Sequence, residues 1–377
     1  MCTVWMAGAK GRRAKPAKQS TKQDPERKAR RPAVVGMLNP CGSFVRADEC
    51  ICPNASAPSI GRVMPKCMPT AACGLRWRRP QRWLHQLHRP STAFVIFFDF
   101  DPSRVRAEDR DDPARAYAEA MALTMRLVLS LKSVRATLPV HLIASGRHQA
   151  AHLEALAREG VIVESTTDSW EVPAWASQRD GGSFSKLRAL GLRQFRKVIV
   201  LDHDLVVLRN IDHLAGAPTP SMVYRPLWKN CQLRVELNSG LMVLAPSLEG
   251  HARLQAYLRP PSQRPDAVAL PEVEVVAGDR SDQAVWRAAL SQAHCLPVAY
   301  NAARSLGLGA DWNVTFVLHD LSFDRRKKQA WAKLAGSSLA EHVEELGAAA
   351  RARLPLLAQA VPRGTPFAKV GFDLAPL

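Results

Sequence analysis

The stretch Arg196–Asp212, RKVIVLDHDLVVLRNID, decides how the chain is read. A basic pair, Arg196-Lys197, opens it and reads as surface. Val198–Leu201 is a short, β-branched apolar run, which predicts a buried strand fitted to a covered pleated surface. The run stops at Asp202-His203-Asp204 and resumes as Leu205–Leu208. An ionised Asp is costly to bury unless it is paired or bound to a metal, and ligands of open α/β sheets gather at strand ends. Two carboxylates at such an end suit a hard divalent cation, Mg²⁺ or Mn²⁺, carrying a diphosphate. Loop aspartates also cap turns and helices with no ligand at all. A D-x-D alone therefore leaves both readings open.

Composition narrows the field. The 377 residues carry a net charge of +18, but residues 1–90 hold 18 Lys+Arg against 4 Asp+Glu, so +14 belongs there and only +4 to the rest. The basicity is thus a property of the N-terminal segment, and no aromatic platform or recognition module accompanies it. It reads as a solvated tail, with no specific nucleic-acid site expected. Six cysteines (Cys2, Cys41, Cys50, Cys52, Cys67 and Cys73) fall in the same segment, in spacings that match no zinc module, while Cys231 and Cys295 lie beyond it. Rich in Pro, Arg, Lys and Ser, residues 1–90 are expected to form a disordered extension. The start, MCTVWMAG followed by GRRAKPAK, lacks the apolar core of a secretory signal; an organelle transit peptide and an untargeted cytoplasmic tail both fit. No transmembrane segment is expected, because no stretch approaches ~20 apolar residues.

Order is expected from Ala93. AFVIFF (Ala93–Phe98) reads as a first buried strand, followed by an acidic loop, Asp99–Asp112, and a helix opened by Pro113. A strand over Pro139–Ala144, a helix over Gln149–Glu159 and a strand over Val161–Glu164 continue the alternation. A helix over Ser183–Phe195 leads into the strand that ends at Asp202, and LMVL within Leu237–Leu244 forms another strand after a turn at Asn238-Ser239-Gly240. Helix is expected over Asp279–Leu290, strand over Val314–Leu318 and an Ala-rich helix over Lys327–Ala350. Alternation of this kind predicts an α/β fold: a mainly parallel sheet with flanking helices.

Five blocks in order resemble the glycogenin-like retaining glycosyltransferases, glycosyltransferase family 8, over about two-thirds of the chain. They are FSKLRALGLRQFRKVIVLDHDLVVLRNID, LNSGLMVLAPS (Leu237–Ser247), Gly278-Asp279-Arg280-Ser281-Asp282-Gln283, LPVAYN (Leu296–Asn301) and VLHDLS (Val317–Ser322). The resemblance implies a GT-A fold, the Rossmann-like fold of nucleotide-diphospho-sugar transferases. It implies a catalytic domain over 91–331, with a helical tail over 332–377. His319 is implied as the third ligand of a Mn²⁺ (or Mg²⁺) ion beside Asp202 and Asp204. Lys186, Asp282 and Gln283 are implied as catalytic. Asn238, Ser239, Gly240, Asp279 and Arg325 are implied at the donor. By their chemistry alone, Asp279 would serve as a helix N-cap, Asn238 as a turn former, and Lys186 as a solvated surface residue.

The chain departs from the family pattern in two places. After His319 the glycine position holds Ser322, the lysine position holds Arg325, the proline is missing and Trp331 comes late. A guanidinium still binds phosphate in bidentate fashion, with Lys327 and Lys328 as alternatives. In the first strand, Phe97-Phe98-Asp99 replaces a Thr/Asn-rich loop. The expected function is transfer of a hexose from a UDP-sugar to the hydroxyl of a glycan, polyol or protein acceptor, with retention. The alternative is a catalytically degenerate binding protein, or a tether acting through residues 1–90.

Overall fold

The computed structural model describes residues 36–38, 44–46, 92–101, 112–166, 172–173, 178–229, 232–259, 281–290, 293–303, 315–319 and 337–354. Within 1–90, the described residues form a two-stranded antiparallel hairpin, β1 (Gly36–Leu38) with β2 (Phe44–Arg46). The expected extension otherwise lies outside the described residues.

The Val198–Leu201 run lies within strand β6 (Lys197–Leu201), inside a seven-stranded sheet. Its companions are β3 (Thr92–Phe100), β4 (Val140–Gly146), β5 (Ile162–Thr166), β8 (Ser221–Lys229), β9 (Gln232–Leu244) and β10 (His294–Leu296), in the order β10-β8-β9-β6-β3-β4-β5. Every neighbouring pair is parallel except the two made by β9, which runs against β8 and β6. A second, three-stranded sheet joins β11 (Ala302–Ala303), β12 (Val317–His319) and β7 (Val206–Val207). The mainly parallel sheet with flanking helices is as the alternation predicts.

Side-chain alternation explains why the strands read as continuous apolar runs. Phe94, Ile96 and Phe98 of β3 and Ile199 and Leu201 of β6 face one layer, with α1 (Pro113–Ser133), α2 (Ala150–Arg158) and α5 (Ser337–Arg353). Ala93, Val95, Phe97, Val198 and Val200 face the other, with the 3-10 helix Gln178–Gly191, α3 (Leu248–Leu258) and α4 (Asp282–Ala289). A parallel sheet covered on both faces has no polar side to show in sequence. Pro113 opens α1 as expected, and the Asp112 carboxylate caps it by accepting from the Arg115 N–H at 3.0 Å.

Several elements differ from expectation. The segment feeding β6 is a long 3-10 helix ending at Gly191, not a helix to Phe195. Asn238 and Ser239 stand inside β9 rather than at a turn into it. Strand β8 has no counterpart in the sequence reading, and Pro226 within it is the reason. It is tolerated because β10 pairs with Ser221–Val223 and, among the described residues, no strand pairs with that side of β8 beyond them. Lys197 is not a free surface cation: it starts β6 and donates to the carbonyls of Ala215 (2.7 Å) and Ala217 (2.6 Å). The C-terminal helix runs Ser337–Arg353, and its Ala350, with Leu354 just beyond, enters the core of the first layer.

The third acid of the opening stretch, Asp212, is structural. Buried, it accepts from the Thr137 N–H (2.8 Å), the Thr137 hydroxyl (2.9 Å) and the Asn210 amide (3.0 Å).

Three buried histidines make stability pH-dependent. Burial pulls His148, His152 and His213 each down to about 4. They fold neutral, and the unfolded chain protonates them near their ordinary value of about 6.5, so stability is full above that pH and falls as pH drops towards 4. Between pH 7 and 5 the loss is expected to reach up to about 2 kcal/mol per histidine. Urea unfolding across that range checks it; a flat profile would contradict the burial of these rings as neutral groups.

Candidate metal and catalytic site

Asp202 leaves the end of β6, and its N–H donates to the carbonyl of Gly240 on β9 at 2.9 Å. That contact depends on an irregularity in β9. Met222 of β8 pairs with Met242, but the next residue, Val223, pairs with Asn238, so Ser239-Gly240-Leu241 bulges from the β8 ladder. Bulges re-aim side chains, and this one turns Ser239 and Gly240 towards the end of β6. The local sequence N-S-G is thus a bulge, and it holds the site.

His319, the last residue of β12, completes the cluster. Its Nε2 lies 3.6 Å from Asp202 Oδ2 and 3.4 Å from Asp204 Oδ1. One ligand atom from each of Asp202, Asp204 and His319 lies within 4.8 Å of the other two. The tautomer follows from the hydrogen bonds behind the ring. Asn301 uses its amide N–H₂ on the Asn238 side-chain oxygen, so its own oxygen is an acceptor, and His319 Nδ1 donates to it at 2.6 Å. The neutral ring then turns the Nε2 lone pair towards two carboxylates. Such an arrangement is repulsive unless a cation sits among the three or the ring is protonated. Converging lone pairs with a second-sphere hydrogen bond that fixes the imidazole are what a divalent ion requires, and these residues fit one. In the other arrangement, with the ring protonated, Asp204 is held well below the usual carboxylate range: burial works against this, and the His319 imidazolium, with His203 and Arg126, outweighs it.

Beside the cluster is a buried ion triad. Lys186, on the 3-10 helix, forms ion pairs with Asp202 Oδ1 (2.8 Å) and Asp282 Oδ2 (3.1 Å) and donates to the Ser239 hydroxyl (2.9 Å). Burial would pull the ammonium down, but Asp202 and Asp282 together hold it above its ordinary range. Asp282 is also shifted upward, for a different reason. Burial raises it, opposed by Lys186, and Asp202 adds repulsion while the Ser239 and Ser183 hydroxyls stabilise the carboxylate. One ammonium therefore serves two carboxylates and fixes Asp202 relative to α4.

Of the expected site residues, Asp202, Asp204, His319, Lys186, Asn238, Ser239, Gly240 and Asp282 meet here, with half-buried Gln283 next on the first turn of α4. The cap of that helix is Ser281, whose hydroxyl accepts from the Gln283 N–H at 3.3 Å, so the cap expected at Asp279 is not needed. Asp279 and Arg325 lie outside the described residues. Sequence reasoning assigned no role to Asn301 and Ser183. The LPVAYN block contained Asn301, whereas nothing in the sequence marked Ser183.

No protein-family model matches the chain. Human glycogenin-1 is 31% identical over 104 residues, covering 27% of this chain and 28% of its own length. An uncharacterised protein of Acanthamoeba polyphaga mimivirus is 33% identical over 76 residues, or 27% of its length. The chain thus spans less than a third of either relative. Among solved structures, the glycosyltransferase GlyE of Streptococcus pneumoniae superposes with a TM-score of 0.41 at 15% identity, over 73% of this chain and 66% of that one. The galactosyltransferase LgtC, solved with donor and acceptor sugar analogues, gives 0.42 at 12% identity, over 68% and 95%. These superpositions are low, so the functional reading rests on the site.

Gly240 is where the bulge is most constrained. A Cβ there would collide with His319 Cε1 and come within 2.6 Å of Nδ1 and 2.9 Å of Asn238 Oδ1. Gly240→Ala is expected to displace the imidazole and weaken divalent-cation binding at least about 10-fold. Titration with Mn²⁺ alongside thermal melting measures it, and wild-type affinity in the variant would contradict the packing described.

Proposed function

We propose that this protein is a metal-dependent glycosyltransferase of the glycogenin-like type, transferring a hexose from a UDP-sugar to an acceptor hydroxyl with retention of configuration. The observation that carries the reading is the convergence of Asp202, Asp204 and the oriented Nε2 of His319 at the end of β6. Those three residues would hold a cation, Mn²⁺ or Mg²⁺, which supplies Lewis-acid stabilisation to a departing nucleoside diphosphate. The sequence blocks favour the GT-A form of the fold and a catalytic body over 91–331, and the 31% identity to glycogenin-1 over 104 residues supports the same reading.

The chain's own residues have distinct tasks. Lys186 locks Asp202 and Asp282 into one geometry, so the ligand carboxylate cannot swing away from the cation position. Asp282, with Gln283 beside it, faces the same side of the site as Ser239. A carboxylate and an amide there suit hydroxyls of a donor sugar. Asp282 is already committed to Lys186, Ser239 and Ser183, which leaves it poorly placed to act as a free nucleophile. Retention then follows a front-face route: the acceptor oxygen bonds the anomeric carbon as the diphosphate departs, and a diphosphate oxygen takes the acceptor proton. Asp279 and Arg325 are assigned to the donor, with Arg325 on its phosphates.

The test is donor hydrolysis, which needs no acceptor. The full chain with Mn²⁺ is incubated with UDP-Glc, UDP-Gal, UDP-Xyl and UDP-GlcA in turn, and UDP release is followed. Turnover of one donor, lost on chelation, is expected. Silence with all four would favour a binding protein that has lost catalysis.

A further inference from the structure

The chain segments that bring His319 and its partners together are joined by short ladders. Among the described residues, β12 pairs with β7 through Val317–Val207 and Leu318–Val206, and with β11 through Ala302–Leu318 and Ala303–His319. Ladders this short fix an approximate position, yet the Asn301 side-chain oxygen meets His319 Nδ1 at 2.6 Å. A ring cluster behind the ladders supplies what they lack. Tyr300, the residue before Asn301, stacks on Phe316 with ring centroids 4.6 Å apart and planes 14° from parallel. Phe316 leads directly into β12, which ends at His319. The His213 ring packs edge-on to both, 5.6 Å from Tyr300 and 5.5 Å from Phe316, and its Nε2 lies 2.6 Å from the Tyr300 hydroxyl. His213 and Tyr300 are buried, and Phe316 is half-buried against the first-layer core. Main-chain bonds cross at the same point: the Phe316 N–H donates to the Ala299 carbonyl at 2.9 Å, and the Phe316 carbonyl accepts from the Leu208 N–H at 2.8 Å.

We propose that the His213–Tyr300–Phe316 stack is a clamp that aims His319, and that Tyr300 is a positioning residue of the cation site. This rests on the reading of Asp202, Asp204 and His319 as that site. Each ring belongs to one of the segments that must meet there. His213, on the 3-10 helix Asp212–Gly216, follows the strand after Asp204; Tyr300 carries Asn301; Phe316 carries β12 and with it His319. Stacking alone fixes the plane of a ring better than its position within that plane. The Tyr300 hydroxyl removes that freedom. A buried polar group is costly to leave unpaired, and the bond to His213 Nε2 fixes the ring along its long axis. A ring fixed there fixes the main chain of Tyr300, and with it the root of the Asn301 side chain. Asn301 has no slack to absorb a shift, since its amide is committed to Asn238 and its oxygen to His319. Displacing Tyr300 therefore disturbs the bond that orients the imidazole, and orientation of this kind governs metal affinity.

A purely structural stack would lower stability and leave metal affinity alone, so the test is a double-mutant cycle on affinity. Mn²⁺ binding to the full chain, without nucleotide, is measured by calorimetry for wild type, Tyr300→Phe, Asn301→Ala and the double variant, with urea unfolding recorded for each. Tyr300→Phe keeps the stack and deletes the hydroxyl. We expect it to weaken Mn²⁺ binding about fivefold, and Asn301→Ala to weaken it at least about tenfold. The double variant should bind no more weakly than Asn301→Ala, because the hydroxyl acts through that side chain. A wild-type Kd in folded Tyr300→Phe overturns the inference, and so do effects that multiply in the double variant. A wild-type Kd in Asn301→Ala overturns it too, while leaving the cation site in place. If Tyr300→Phe does not fold, Phe316→Leu replaces it in the cycle with the same expectations; failure of both to fold makes the stack structural and refutes the inference. Wild type and Asp204→Asn are the controls. A wild type that fails to bind Mn²⁺, or binding that survives in Asp204→Asn, overturns the site reading itself and the inference with it.

Discussion

Asp202→Asn is expected to lower metal-dependent turnover of the nucleotide-sugar by at least about 10²–10³-fold while the protein stays folded, the scale of losing one preorganised charge at a reacting centre. The substitution conserves shape and removes two functions together. One is a charged oxygen facing His319 Nε2 at 3.6 Å, and the other is the ion pair with Lys186 at 2.8 Å. The fold should tolerate the change because the backbone N–H of residue 202 still bonds Gly240, and Lys186 keeps Asp282 and Ser239 as partners. UDP release with Mn²⁺, compared with the thermal midpoint, reads both. Turnover within a few-fold of wild type in a folded Asp202→Asn protein would remove the metal-site assignment, and the transferase reading would lose its main support.

The strand reading of the opening stretch was sound because a sheet covered on both faces leaves an uninterrupted β-branched run, which is hard to mistake. Local sequence also marked the D-x-D, since no packing role suits two acids at the end of such a strand. The purpose of the third acid was not legible. Asp212 looks like its neighbours in sequence, and only the fold brings Thr137 to it. Strand β8 is hard to read locally because Pro226 argues against a strand, and only the short reach of β10 along it, Ser221–Val223, shows why a proline fits there. The N-S-G bulge read as a turn because turns and bulges use the same residues, and the register shift against β8 that distinguishes them is non-local. His319 needed a family resemblance to be picked out, since a lone histidine at a strand end has many explanations. Asn301, which fixes its tautomer, could be found only once β12 and the segment before β11 were side by side.

That pattern has a physical cause. Residues whose role is local, such as Pro113 opening α1 or the apolar alternation of β3, are written in nearest-neighbour chemistry. Residues whose role is to hold another residue in place take their meaning from long-range pairing. The Asn238–Asn301–His319 chain joins β9 and β12 through the segment before β11, and Lys186 joins a 3-10 helix to β9, the end of β6 and α4. Site geometry here is set mostly by this second kind. A sequence reading therefore recovers the atoms that touch a ligand more readily than the ones that aim them.

Lys186→Met tests the aiming directly, and it should be the most destabilising single change at the site. The methionine fills a similar volume but leaves Asp282, 2% exposed, and Asp202 facing each other with no cation between them. Breaking a buried pair by removing one partner costs about 3–5 kcal/mol, most of it the isolated charge left behind; here two carboxylates lose the same partner, though Asp202 is the more exposed and recovers some water. We therefore expect about 3 kcal/mol of lost stability by urea unfolding at neutral pH, with donor turnover falling at least 10²-fold because Asp202 is no longer held towards His319. Adding Asp282→Asn to the same chain should restore a large part of the stability, since the amide removes the stranded charge and keeps its bonds to Ser239 and Ser183, but it should not restore turnover. The two readouts must separate. If Lys186→Met is destabilised by less than about 1 kcal/mol, the ammonium behaves as an ordinary surface cation. If the double variant regains activity as well as stability, Lys186 matters for folding alone and the geometry of Asp202 does not depend on it.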